Sequence, residues 1–154
     1  MPSSSSPWGR VLVVALYAAA MAVVEAMVVF YLRRLFALQY GAVFAQSRFT
    51  FPAAYLGHER AREVATIVML VAVALLAGRG PRQCLAYFMF AFGVWDIGYY
   101  VALRIMLGWP GSLTTRDLLF LIPHQWWEPV WVPLLASTGF IAAALALLRL
   151  PRRR

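Results

Sequence analysis

The sequence predicts an all-α integral membrane protein: a four-transmembrane-helix bundle with an interfacial outer loop, forming a single domain over residues 1–154. Three observations predict it. Of the 154 residues, 63% are hydrophobic and only 13% charged, where soluble domains carry about 25% charge. Mean hydropathy is +0.73. Four apolar runs, 11–32, 59–78, 85–107 and 130–148, approach the roughly 20 residues that span a bilayer.

The first run, 11–32, is Ala-rich and resembles a secretory leader in composition, but it continues well past the roughly 7–15 residues of a leader's apolar core. It is therefore expected to be a retained helix. Its small residues Ala15, Ala18, Ala19, Ala22 and Ala26 form a face suited to close helix packing, inside the bundle or against a partner. The segment that follows, 35–57, is apolar enough to lie along the membrane surface as a lid. The second run opens on Gly57-His58-Glu59-Arg60-Ala61-Arg62-Glu63, dense in charge, before turning wholly apolar. A tight Arg79-Gly80-Pro81-Arg82 turn leads into the third run. In the segment Pro123-His124-Gln125-Trp126-Trp127-Glu128-Pro129, a helical turn would set His124 and Glu128 four residues apart on one face, ahead of the fourth run.

Four spans place both termini on one side. The segments on that side, 1–10, 79–82 and 149–154, hold seven Arg and no acid, so the positive-inside rule makes both termini cytoplasmic. Arg33-Arg34, at the far end of the first run, pulls the other way. All 14 basic residues are Arg, a bias that points to a GC-rich genome and hence to a bacterial inner membrane. The Arg sit at helix ends rather than on one clustered face, which excludes a nucleic-acid partner. The single cysteine, Cys84, excludes an internal disulfide and is expected to pack as a small apolar residue. Trp109, Trp126, Trp127 and Trp131 fall near one interface and Trp8 near the other, as an aromatic belt would.

All six acids, Glu25, Glu59, Glu63, Asp96, Asp117 and Glu128, and both histidines, His58 and His124, belong to the half away from the termini. At 1.5 Å per residue, Glu63 lies roughly 6 Å, Glu25 roughly 10 Å and Asp96 roughly 15 Å below the outer boundary. A carboxylate that deep costs at least about 2.5–3.5 kcal/mol and must face the bundle interior. Asp96, Tyr100 and Arg104 fall at i, i+4 and i+8, a polar stripe with Tyr99 beside it, and Arg104 is the expected counter-ion. The stripe residues Asp96, Tyr100 and Arg104 are the expected catalytic or substrate-contacting set.

The function these residues predict is a carboxylate and histidine pocket open to the periplasmic leaflet. It would hold a divalent metal (Fe, Zn or Mn) on Glu25, His58, Glu59, Glu63, His124 and Glu128 and act on a lipophilic substrate. The residue types suit such a metal, but the Glu-x-x-His spacing of four-helix carboxylate proteins is absent. Haem on His58 and His124 is disfavoured by their positions at helix starts among acids. Two alternatives remain. One is a small accessory subunit, or a homo-oligomer, with structural ion pairs such as Glu25–Arg104 and Glu63–Arg62. The other is a proton or ion translocator, against which no acid or histidine continues from Asp96 to the terminal side.

Overall fold

The computed structural model describes residues 7–40 and 53–150. Among them are four helices, α1 (Pro7–Tyr40), α2 (Ala53–Ala77), α3 (Pro81–Leu107) and α4 (Trp131–Arg149). A hairpin of β1 (Arg116–Phe120) and β2 (Trp126–Pro129) joins α3 to α4. Three helices, α1, α3 and α4, are long and apolar enough to cross a membrane. The expected second span falls short, because the final turns of α2 are apolar while its earlier ones still carry Glu59, Arg60, Arg62 and Glu63. A four-span bundle is thus only partly realised: four helices are present, three with span character.

Local chemistry sets the helix ends. Pro81 stands at the first position of α3, where a missing N–H costs no helical bond. Gly108 ends that helix in the left-handed region (φ 67°), its N–H donating to the Arg104 carbonyl, a conformation glycine adopts without penalty. α1 runs on to Tyr40, past the expected boundary at Leu32, because Leu35-Phe36-Ala37-Leu38 continue an apolar helix-forming stretch with no breaker before Gly41. The expected surface loop 35–57 is therefore helical at both ends, and its central residues, 41–52, lie outside the described residues.

The expected helical turn at 123–129 is instead part of the hairpin. Arg116 pairs with Pro129, Asp117 with Glu128 and Leu118 with Trp127, followed by a bulge that sets Phe120 opposite Trp126. The physical reason is at hand: Trp126 and Trp127 favour strands, Pro129 biases Glu128 toward extended backbone, and the partner strand needed to pair them lies ten residues upstream. The hairpin passes directly into α4, with the Val130 N–H donating to Thr115 O (2.9 Å) and the Trp131 N–H to Leu113 O (3.0 Å).

α3 is the hub, packed extensively against α1 and α4 and also against α2, whereas α2 and α4 scarcely meet. Small residues make the close approaches possible. Ala18, Ala22 and Ala26 are fully buried, and a Cβ on Gly98 would come within 2.9 Å of the Ala22 Cβ. The alanine face of α1 is thus used within the protein, apart from Ala19, which is exposed. On the other side of α3, a Cβ on Gly93 would meet the Ser137 carbonyl at 2.6 Å. At the terminal end, Arg10 donates to the Ala77 carbonyl and Arg82 to the Leu150 carbonyl, both at 2.9 Å. Each arginine at the start of one helix thereby satisfies a carbonyl left open near the end of its neighbour, which fixes adjacent helices antiparallel. Above these caps the core of Val14, Ala18, Leu70, Ala74, Phe90, Ala91 and Ala144 is apolar, with the tyrosines Tyr87 within it and Tyr17 packed against it.

The contrast between two glycines tests this packing. Gly93→Ala should destabilise the protein by about 1–3 kcal/mol through overpacking against a backbone that cannot yield. Gly139→Ala, where a Cβ meets nothing within 4 Å, should be neutral or stabilising. Thermal unfolding of the two variants in detergent checks both.

Candidate functional site

The gap between α2 and α4 is a cavity of about 360 Å³, floored by α3 and walled by the hairpin. Its charged lining is Glu25, Glu59, Arg62, Glu63, Asp96 and Asp117. Its aromatic lining gathers around Phe92, one helical turn from Asp96 on α3; the Phe92 ring lies 5.5 Å from Trp95, 5.8 Å from Phe140 and 6.4 Å from Phe120. The volume lies in the range of small-molecule sites, about 300–1,000 Å³.

Each of these carboxyls is met by a donor. Arg62 is the hub of one cluster: its guanidinium forms an ion pair with Glu25 of α1 and donates to Glu59 Oε2 from Nε at 2.9 Å and from Nη2 at 2.6 Å. Thr66, one turn on, donates to Glu25 Oε2 at 3.3 Å. The charged opening of α2 is therefore the wall of a cavity, with Glu59 buried at 6% exposure. Glu63 turns the other way and accepts the Leu121 backbone N–H at 2.8 Å, fastening the hairpin to α2. Tyr100 donates to Asp117 Oδ2 at 2.9 Å, fastening it to α3. Asp96, deep in the cavity, accepts the Ser137 hydroxyl of α4 at 2.8 Å. The close contact at Gly93, three residues before Asp96, is what brings the Ser137 backbone near enough.

Burial pushes the Asp117 carboxyl up to about 6, against the opposing pull of the Tyr100 hydroxyl, the Arg33 guanidinium and the Leu118 backbone N–H. Arg33, from α1, stacks over the Trp109 ring with 4.1 Å to its centroid. In the aromatic wall, the Trp95 indole N–H is buried and has no hydrogen-bond partner among the described residues.

Of the residues expected at the site, Glu25, Glu59, Glu63, Asp96 and Tyr100 converge on this cavity. His58 is exposed on α2 and His124 is exposed in the hairpin connection. Glu128, on β2, accepts the Trp126 indole N–H at 3.1 Å. Arg104 is exposed and donates to the Gly108 and Pro110 carbonyls at 2.5 and 2.7 Å, serving the end of α3 rather than an acid. The expected pairs Glu25–Arg104 and Glu63–Arg62 are replaced by Glu25–Arg62 and Glu63–Leu121. A metal fits this donor set poorly: Glu25 and Glu59 are occupied by Arg62, both imidazoles lie elsewhere, and no three of His, Cys, Asp and Glu are grouped for an ion among the described residues.

Sequence reasoning named Asp117 as an acid without placing it, and missed Ser137 and the aromatic wall. The signal for Ser137 was a hydroxyl in a helix otherwise almost wholly apolar; nothing local marked Phe92, Phe120 and Phe140, which meet only through the fold. No protein-family model, curated protein or solved structure matches this chain.

Two measurements check the electrostatics. Arg62→Gln should cost about 3 kcal/mol or more of stability, because it strands buried carboxylates, and adding Glu25→Gln to the same chain should recover part of the loss. For Asp117, the raised value means that the folded protein retains a proton the unfolded chain (ordinary value 3.8) has already released. Stability from this group is therefore full below pH 4 and declines as pH rises through 6. Asp117→Asn should remove that part of the slope in pH-dependent thermal unfolding.

Proposed function

We propose that this is a bacterial inner-membrane protein that takes up a small amphiphilic molecule from the outer, periplasmic leaflet into the cavity between α2 and α4. The observation that carries this reading is the mixed lining of that cavity, in which five carboxyls stand beside a Phe92-centred aromatic cluster. A ligand with a polar head and an apolar body would match both kinds of lining at once.

Orientation follows from charge. The seven Arg at the terminal end belong on the cytoplasmic face, which turns the cavity toward the periplasmic side. The apolar core between Asp96 and the terminal caps favours a closed pocket over a through path for protons or ions. The reading is one of recognition.

Blocking the cavity tests the proposal. Ala136 lines it from α4, so Ala136→Trp should fill it while leaving the fold intact. Bromo-octanol should quench the wild-type tryptophan emission with a saturable component that is absent in Ala136→Trp and reduced in Trp95→Phe. Non-saturable quenching alone, identical in all three chains, would show only partition into detergent and sink the reading.

A further inference from the structure

Resting on that reading of the cavity, we infer that its ligand is an organic cation, an amine or ammonium group on an apolar body. The cavity lining carries five carboxyls, from Glu25, Glu59, Glu63, Asp96 and Asp117, and Arg62 is the one cationic side chain among its lining residues. Arg62 is committed to Glu25 and Glu59. Arg33 bears on Asp117 from α1. Even with both guanidiniums counted, acids outnumber bases, and the hydrogen bonds to Glu63, Asp96 and Asp117 in this structure come from a backbone amide, a serine and a tyrosine. Such neutral donors orient a carboxyl without supplying a counter-charge, which is what a cationic ligand would bring.

The rest of the lining agrees with this. Phe92, Trp95, Tyr99 and Tyr100 line the same cavity, and aromatic faces attract ammonium groups within about 6 Å. A compact metal ion would need several carboxyls drawn to one point, whereas here Glu25 and Glu59 are tied to Arg62 and the others to the hairpin, α3 and α4. An ammonium needs only one or two of them and can leave the other ties intact. An anionic head would meet a lining in which acids outnumber bases.

Three probes of equal chain length separate the class of ligand from the existence of the site. Octylamine, octanol and octanoate are titrated into the purified full-length chain in detergent by calorimetry, with Ala136→Trp as the blank. Octylamine should bind at least about tenfold tighter than octanol, the scale of one charge-assisted hydrogen bond, and octanoate weaker still. Asp117→Asn and Asp96→Asn should each weaken octylamine about tenfold more than octanol. Glu63→Gln, which keeps an acceptor for the Leu121 amide, provides a third isosteric variant should an Asp variant fail to fold. Equal affinity for octylamine and octanol, or no preferential loss in the variants, overturns the cationic assignment and leaves the amphiphile site standing. No binding of any probe above the Ala136→Trp blank overturns the site itself.

Discussion

A carboxyl placed in an apolar helical assembly must be given a donor, and in this protein the donor almost always comes from another element. Glu25 of α1 reaches Arg62 and Thr66 of α2, Glu63 of α2 reaches the hairpin, Asp117 of the hairpin reaches α3, and Asp96 of α3 reaches α4. The exceptions are Glu59, which shares its own helix with Arg62, and Glu128, which shares β2 with Trp126. Apolar packing alone gives helices in lipid little reason to choose one register over another. The need to satisfy these few polar groups supplies the choice, and it draws the elements together around one space.

That space is closed at one end and lined at the other because the two ends of the assembly use arginine differently. At the terminal end Arg10 and Arg82 are spent on helix-end carbonyls, and the layer above them is apolar. In the opposite half Arg62 is spent on acids, and further acids are left to neutral donors. The polar line of the interior therefore ends at Asp96. The lopsided contacts of α3, broad with α1 and α4 and narrower with α2, leave room for a cavity where a symmetric bundle would have filled it.

Much of this is visible in the residues themselves and some of it is not. The apolar runs locate α1, α3 and α4, and Pro81 and Gly108 mark the ends of α3 almost to the residue. The depth of Glu25, Glu63 and Asp96 announces a shared interior site, since each must escape the same apolar surroundings. What spacing cannot give is which partner each acid finds. Arg62 could be assigned to Glu59 or Glu63 on its own helix; that it also takes Glu25 depends on how α1 and α2 are rotated. Four-residue spacing suggested a His124–Glu128 face because a short segment satisfies helical and extended patterns alike, and the strand that decides between them is elsewhere in the chain. The arginine at position 104 looked like a counter-ion by periodicity, but the end of its own helix offered nearer acceptors.

The junction between β2 and α4 has no slack. Only Val130 separates strand from helix, and the amides of Val130 and Trp131 are already bonded to Thr115 and Leu113 at the start of the hairpin. The wall of the cavity and the first turn of α4 therefore behave as one lever: pressure from within that shifts the hairpin must tilt α4 with it, and a tilt of α4 would pull on the Ser137 to Asp96 contact at the cavity floor.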